Sequence, residues 1–234
     1  MTVTSIIYLI AVPSQFATHE TQPGSYFGLV ATMDVYGHNI TDGHIRTVIW
    51  IHNRQPDPSI DVNAIWVGRR RDPYRTGCVD MDCPAFQLAS GSKIVPGAPI
   101  MPVSDVNGKR QKITIKVFKE KTTRNWWIHY GFNNAPRAVG YYPAKLFDRL
   151  GKATDIVIGS VVGKSGNTPS LPMGSGFLPS NKAATITDIS FINEDGRITG
   201  FDVPLRKFET KSSCYSITSV EGAKCSYGRP GGCK

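Results

Sequence analysis

The chain has 234 residues, of which 40% are hydrophobic and 19% charged, and it carries a net charge of +9. This balance excludes a disordered chain, which would contain too little apolar surface to bury. No apolar run reaches the ~18 residues of a membrane span, so we expect no transmembrane helix. The positive charge favours an acidic partner. No zinc-finger spacing or RNA-binding signature accompanies the charge, and we expect no nucleic-acid binding.

The N-terminal stretch is apolar but short, and no Lys or Arg precedes it. A secretory signal peptide normally begins with a basic segment. Residues 1–13 are therefore interpreted either as a weak apolar leader or as a first strand. We expect residues 14–234 to form a single domain, with a cysteine-containing tail at 210–234.

Period-two alternation of apolar and polar residues predicts β-strands at 45–51, 112–118, 156–162 and 184–192. Asn-Gly, Asn-Asn and Asp-Gly pairs at 107–108, 133–134 and 195–196 predict turns between them. Trp126 and Trp127 are adjacent, so they must point to opposite faces of their strand. One of them belongs to the core, and the other could stack on a proline or sugar ring at the surface.

Only residues 144–151 have helical spacing. Leu146, Phe147 and Leu150 would share one face, and Gly151 suits a helix end. Many short strands with one short helix predict an all-β fold, an antiparallel two-sheet β-sandwich.

The five cysteines are an odd number, and the five histidines are scattered along the chain. Cys78 and Cys83 are spaced too irregularly for a zinc ribbon, and no histidine clusters nearby, so we expect no metal and no cofactor. Disulfides are the better interpretation, and they imply an oxidising, extracellular compartment. Asn39 begins an Asn-Ile-Thr glycosylation sequon, which agrees with secretion.

Five sequence blocks occur in an order that resembles the neprosin family of plant glutamic peptidases. They are an opening strand at 26–36, TGCVDMDC at 76–83, NWWI at 125–128, GYYPAKLF at 140–147 and PMGSG at 172–176. The resemblance runs from about Gln15 to Cys233. It implies a two-sheet β-sandwich with a concave substrate groove.

The resemblance also implies two catalytic glutamates that face each other across the groove, and neither is present. The family's IEAGW strand best matches 62–66, which places Asn63 at the first glutamate. Its WGGEV strand matches 158–162, which places Val161 at the second. Asn cannot take a proton at neutral pH, and Val has no proton to exchange. The chain is shorter than the family between Trp66 and Thr76, and which family strand is missing there stays open.

Strand parity predicts the residues that line the former groove. On the first strand these are Asp61, Asn63 and Ile65, and on the second they are Val157, Gly159 and Val161. If these faces line the groove, the face of Trp66 belongs to the core. Asp61 could replace a catalytic carboxylate only with a shift of about 7 Å along the strand.

The resemblance implies two disulfides, Cys78–Cys83 and Cys214–Cys233. Cys225 is then left over, as a buried inert thiol or as the link of a covalent dimer. We expect a monomer otherwise.

The expected function is binding of a peptide or an acidic polysaccharide, in or beside the former groove, by a secreted protein without peptidase activity. One alternative is an active proline-directed endopeptidase whose catalytic carboxylates are displaced. Another is a defence or inhibitor protein that acts on a partner protein.

Overall fold

A computed structural model describes residues 14–54, 63–71, 85–147, 149–164 and 169–232, with residues 63–71 described by their backbone alone. Strands dominate the described chain. They are β1 (Ser14–Thr21), β2 (Gly28–Asp34), β3 (His44–Asn53), β4 (Asn63–Arg71), β5 (Gln87–Leu88), β6 (Lys112–Lys119), β7 (Trp126–Phe132), β8 (Arg137–Tyr142), β9 (Asp155–Gly163), β10 (Met173–Gly174), β11 (Ala184–Ile192), β12 (Ile198–Thr199), β13 (Leu205–Glu209), β14 (Ser216–Ile217) and β15 (Cys225–Arg229). The segment 1–13, predicted as a leader or first strand, lies outside the described residues.

The strands form two antiparallel sheets. The smaller sheet has five strands in the order β13-β1-β9-β3-β4. The larger sheet has ten strands, of which eight run in the order β10-β15-β11-β2-β6-β7-β8-β5, while β12 pairs with β11 and β14 with β15. Ile49 and Ile156 of the smaller sheet share one buried core with Leu29 and Ile115 of the larger one. The predicted two-sheet β-sandwich is therefore confirmed.

Alternating side chains explain why the sheets bury one face against each other. On β6 the core side carries Ile113, Ile115 and Val117, while Thr114 and Lys116 between them are half-buried on the opposite side. The same alternation separates the two tryptophans of β7. Trp126 is fully buried and donates from Nε1 to the carbonyl of Leu150 at 3.0 Å, and Trp127 lies half-buried on the other face.

The helix predicted at 144–151 is only a 3₁₀ turn at Ala144–Leu146. The prediction of its length is wrong, because the chain leaves the helical conformation at Phe147. Phe147 turns to an extended conformation and packs edge-on against Tyr142, with ring centroids 6.3 Å apart. The carbonyl of Leu150 accepts hydrogen bonds from Trp126 and from Lys119.

A buried carboxylate joins three segments of the larger sheet. Asp34, at the end of β2, is 4% exposed and accepts hydrogen bonds from the backbone and hydroxyl of Thr185, both at 2.9 Å. Arg110 donates to the same oxygen at 2.8 Å and also to the carbonyl of Ala183. The ion pair therefore links β2, β11 and the segment that enters β6.

A buried histidine lies on the core side of β1. His19 is 1% exposed and donates from Nε2 to the carbonyl of Thr218 at 2.8 Å. Burial lowers the pKa of His19, and the charge of Lys207 lowers it further. The hydrogen bond to Thr218 and the charge of Glu209 raise the pKa, but they do not outweigh burial. The folded protein therefore holds this imidazole neutral more strongly than an unfolded chain does.

We expect Asp34→Ala to lower the free energy of unfolding by about 3 kcal/mol, because it leaves Arg110 and two Thr185 donors without their acceptor. Urea unfolding at neutral pH measures this loss. The control is Asp195→Ala, which breaks an exposed ion pair with Lys121 and should leave the unfolding midpoint nearly unchanged. Equal effects of the two substitutions would contradict the role assigned to Asp34.

We expect the free energy of unfolding to fall as the pH drops below about 6.5, the ordinary pKa of histidine. In this range the unfolded chain binds a proton at position 19 and folded His19 does not, so protons favour unfolding. His19→Gln keeps a donor for Thr218 and does not titrate, so its stability should fall less steeply. Urea midpoints measured from neutral to mildly acid pH test this, and identical slopes would show that His19 has no part in the pH dependence.

Candidate functional site

The side of the five-stranded sheet that faces away from the shared core is called the outer face here. On β9, Ile156, Ile158 and Val162 belong to the core, so Val157 and Val161 fall on the outer face. Both valines are nevertheless buried, at 5% and 3% exposure. Register places Val157 between Glu20 and Trp50, and Val161 between Phe16 and Arg46. Larger neighbours therefore flank both valines.

The register of β4 divides the residues predicted to line one groove. Asn63 pairs with Asn53, and Ile65 pairs with Ile51, which belongs to the core. Directly paired residues of antiparallel strands lie on the same face. The positions of Asn63 and Ile65 thus fall on the core face, opposite to the face of Val157, Gly159 and Val161. Position 66, predicted on the core face, pairs with Trp50 and so falls on the outer face. Asp61 lies outside the described residues.

The two positions that match the family glutamates are also far apart along the sheet. Position 63 is level with Asn53 of β3, and Val161 is level with Arg46. Seven residues of β3 separate these levels, which is about 24 Å at the rise of a β-strand. The structure therefore does not bring these two positions together.

Charged side chains cluster at one end of the outer face. Arg54, directly after β3, contacts Glu20 through Nη1 and lies 3.2 Å from Asp155 Oδ1 through Nε. Arg206 of β13 binds the second oxygen of Glu20 at 2.6 Å. His52 donates from Nδ1 to Asp155 Oδ1 at 3.2 Å. Two carboxylates from β1 and β9 are thus bridged by one arginine.

The environment of Asp155 keeps it ionised. Burial alone would raise the pKa of this carboxyl, but the His52 hydrogen bond and the charges of His52 and Arg54 outweigh burial and lower the pKa. Thr154 adds a hydrogen bond from its hydroxyl to the second carboxylate oxygen at 2.8 Å. Asp155 is therefore a poor source of a proton for general acid catalysis.

Aromatic side chains occupy the middle of the outer face. Phe16 packs edge-on against Trp50 with ring centroids 6.1 Å apart, and its ring lies equally far from that of Phe208. The ring centroids of Trp50 and His52 lie 5.9 Å apart. Phe208 is half-exposed at 50%. These four rings, Phe208, Phe16, Trp50 and His52, are called the aromatic strip and run across β13, β1 and β3.

Gly159 permits the close pairing of β1 and β9 under the aromatic strip. Its φ of +153° lies in a region that side chains disfavour, and a Cβ there would meet Ala17 O at 2.4 Å and Thr18 Cα at 2.6 Å. Only glycine can therefore occupy this position without moving β1.

A serine and a cysteine outside the outer face also carry groups that can act as nucleophiles in enzymes. The Ser175 hydroxyl accepts a hydrogen bond from the backbone of Phe177 at 3.3 Å, in the tight turn that follows β10. Cys225 is a free, buried cysteine, and burial raises the pKa of its thiol to about 12. The thiol of Cys225 is therefore not activated as a nucleophile.

The predicted disulfides lie partly outside the described residues. Cys214 is disulfide-bonded, while Cys78, Cys83 and Cys233 are outside the described part of the chain. The pairings Cys78–Cys83 and Cys214–Cys233 therefore stay predictions. Asn39 is exposed in the loop after β2, and its glycosylation stays a prediction as well.

A small cavity lies between the sheets, with room for about one water molecule at a volume of about 20 Å³. Asp34, Tyr36, Thr47 and Tyr227 contribute polar atoms to its wall. In the part of the chain that the structure describes, no group of three or more His, Cys, Asp or Glu residues could hold a metal ion. None of the described helical segments is long and apolar enough to cross a membrane.

Comparisons with known proteins identify a family. The family model described as Neprosin matches residues 48–230, which is more than half of the chain. Among solved structures, a crystal structure of scytalido-glutamic peptidase with a transition state analog inhibitor is 12% identical to this chain, with a TM-score of 0.47. That match covers 93% of this chain and 98% of the other. No curated protein matches.

We expect Gly159→Ala to lower the free energy of unfolding by at least about 2 kcal/mol, because the new methyl group would strain the backbone and collide with β1. Gly196→Ala is the matched control, since Gly196 also has a positive φ of +76° but nothing lies within 4 Å of an added Cβ. The control should lose about 1 kcal/mol. Urea unfolding separates the two, and a Gly159→Ala loss no larger than that of the control would contradict the close approach.

Proposed function

This chain belongs to the neprosin family, and we propose that it is a secreted binding protein without peptidase activity. Its site is the outer face of the five-stranded sheet, and its ligand is an extended, proline-containing peptide. The observation that carries the proposal is the Arg54 bridge between Glu20 and Asp155 on the outer face. The structure does not bring together Asn63 and Val161, the two positions matched to the family glutamates.

The absence of peptidase activity follows from what the two positions hold. A glutamic peptidase needs one carboxylate to activate water and a second carboxyl group to polarise the carbonyl or protonate the leaving amine. An amide and an isopropyl group supply neither function. Each lost proton-transfer group lowers the rate by ~10²–10⁴-fold.

A displaced catalytic pair is the second candidate, because Glu20 and Asp155 lie on the outer face. A working pair keeps one carboxyl protonated through mutual repulsion and burial, which raise its pKa. Arg54 contacts both carboxylates and removes that repulsion. The lowered pKa of Asp155 favours a charged carboxylate there, with a structural role in holding β1, β3 and β9 together.

The chemistry of the outer face favours a peptide. Its middle carries the aromatic strip over buried valines, and aromatic rings pack well on the flat ring of proline. The arginine-bridged carboxylates lie at one end of this face. Arg46, near the start of β3, lies towards the other end. A peptide that is apolar in its middle and charged at its ends would match this distribution.

The state of one cysteine supports secretion, and that of a second supports a monomer. Cys214 is disulfide-bonded, and disulfides persist mainly in oxidising compartments. Cys225 is buried, and its raised pKa disfavours the thiolate that would link two chains. We therefore propose a monomer rather than a Cys225-linked dimer.

We expect the protein to bind a proline-rich peptide without cleaving it, at acid and at neutral pH. Calorimetry measures the binding, and mass spectrometry of the recovered peptide measures cleavage. Phe208→Ala should weaken binding several-fold, because an exposed ring of the aromatic strip is lost. Ile198→Ala removes a comparably exposed apolar side chain from the other sheet and should change nothing.

Cleavage at a rate typical of enzymes would overturn the proposal. Glu20→Gln and Asp155→Asn then decide the mechanism, since loss of cleavage in both would assign the reaction to the displaced pair. Unchanged affinity in Phe208→Ala would remove the aromatic strip from the binding site.

A further inference from the structure

A second group of aromatic side chains lies on the opposite side of the molecule, on the ten-stranded sheet. Register pairs Phe118 of β6 with Trp127 of β7, and Trp127 with Tyr141 of β8. Lys116 pairs with His129 in the same way. The residues between them, such as Val117 and Ile128, belong to the core. The five side chains Lys116, Phe118, Trp127, His129 and Tyr141 therefore share the solvent face, and they are called the platform here.

The rings of the platform form a continuous surface. Trp127 and Tyr141 lie 4.8 Å apart at an interplanar angle of 39°. His129 meets Trp127 edge-on at 6.4 Å and Phe118 edge-on at 5.1 Å. All are half-buried. Three strands thus hold four rings rigidly, which reduces the entropy lost when a flat ligand stacks on them.

One cation lies at the edge of this surface. Lys116 Nζ lies 4.3 Å from the centre of the Phe118 ring. Burial lowers the pKa of Lys116, and no carboxylate offsets that effect. Among the described residues no acidic side chain forms an ion pair with Lys116. An ammonium group that is partly desolvated and has no counterion gains more from a ligand anion than a fully hydrated one.

We propose that the platform binds an acidic oligosaccharide built of uronic acids. The apolar face of a pyranose ring would stack on Trp127 and Tyr141, and the carboxylate of the sugar would accept hydrogen bonds from Lys116. This site is on the other sheet from the proposed peptide site, so either proposal can fail without the other.

Charge distinguishes this ligand from a nucleic acid, whose bases could also stack on aromatic rings. A nucleic-acid backbone places a phosphate at every nucleotide and needs a row of cations. On the platform His129 cannot serve as a second cation at neutral pH, because burial and the charge of Lys116 lower its pKa. The single ammonium group of Lys116 beside the platform rings matches a uronic acid, which carries one carboxylate on the sugar ring that would stack there.

A carboxylate at the far end of β6 sets the orientation of the ligand. Glu120 follows Phe118 on the same strand parity, and it accepts hydrogen bonds from Thr122 and Thr123 in the next turn. These bonds, that of the Thr123 hydroxyl first, lower the pKa of Glu120 to about 2, so it is charged. Glu120 lies four residues from Lys116, or about 14 Å along the strand. The acid group of the sugar therefore belongs at the Lys116 end.

Calorimetric titration with a short oligogalacturonate tests the proposal, with its methyl ester as a neutral ligand of the same shape. We expect Lys116→Met and Trp127→Leu each to weaken binding about tenfold, through loss of a charge-assisted hydrogen bond and of stacking. Lys182→Met is the matched control, because Lys182 also lies over a phenylalanine ring, at 5.6 Å from Phe177, but away from the platform. It should bind like the unsubstituted protein.

Three results would overturn the proposal. The first is unchanged affinity in Lys116→Met, a surface substitution that leaves the core intact and therefore decides the matter even if Trp127→Leu does not fold. The second is equal affinity for the methyl ester. The third is tighter binding of a single-stranded oligonucleotide than of the oligogalacturonate, which would assign the platform to nucleic acid instead.

Discussion

The smaller sheet is organised by the pairing of β9 with β1 on one side and with β3 on the other. All nine residues of β9 are buried, on both faces of the strand. A slip of one residue would turn every side chain of β9 to the opposite face. Val157 and Val161 would then point to the core, and the core residues Ile156, Ile158 and Val162 would point outwards. Gly159 fixes the register further, because a side chain at that position would collide with the backbone of β1. The aromatic strip and the charged cluster both inherit their geometry from this register.

Local patterns in the sequence predict four of the long strands. The strand at 184–192 was predicted with its observed bounds, and those at 45–51, 112–118 and 156–162 within two residues at either end. Alternation of apolar and polar residues depends only on which face of a strand is buried, so it can be recognised in a single sequence. The separation of Trp126 from Trp127 follows in the same way. The helix expected at 144–151 is reduced to a 3₁₀ turn, because the extended conformation of Phe147 and its packing on Tyr142 override a weak local preference.

The composition of the candidate site could not be predicted in this way. Which face of β4 lies outside depends on its register with β3, which strand alternation alone leaves undetermined. The charged cluster joins Glu20, Arg54 and Asp155 from three separate strands or their ends. Each residue has an ordinary local context, and only the pairing of β1, β9 and β3 brings them together. Glu20 and Phe16 are four residues apart on β1, so the sequence places them on the same face. That placement predicts a contact between Glu20 and the end of β9 only when β9 is known to pair with β1.

The arginine between the two carboxylates shows how the fold can hold two acidic residues close together without the chemistry of an acid–base pair. Repulsion between unpaired carboxylates raises a pKa and creates a general acid, whereas a shared guanidinium stabilises two negative charges. Restoring acid–base chemistry at this end of the sheet would therefore require removal of Arg54 as well as a suitable carboxyl pair. Removal would also leave Asp155 buried with only His52 and Thr154 as partners. The ionic arrangement that stabilises the junction of β1, β3 and β9 thus opposes the protonation state that peptide hydrolysis needs, and this conflict favours binding over catalysis on the outer face.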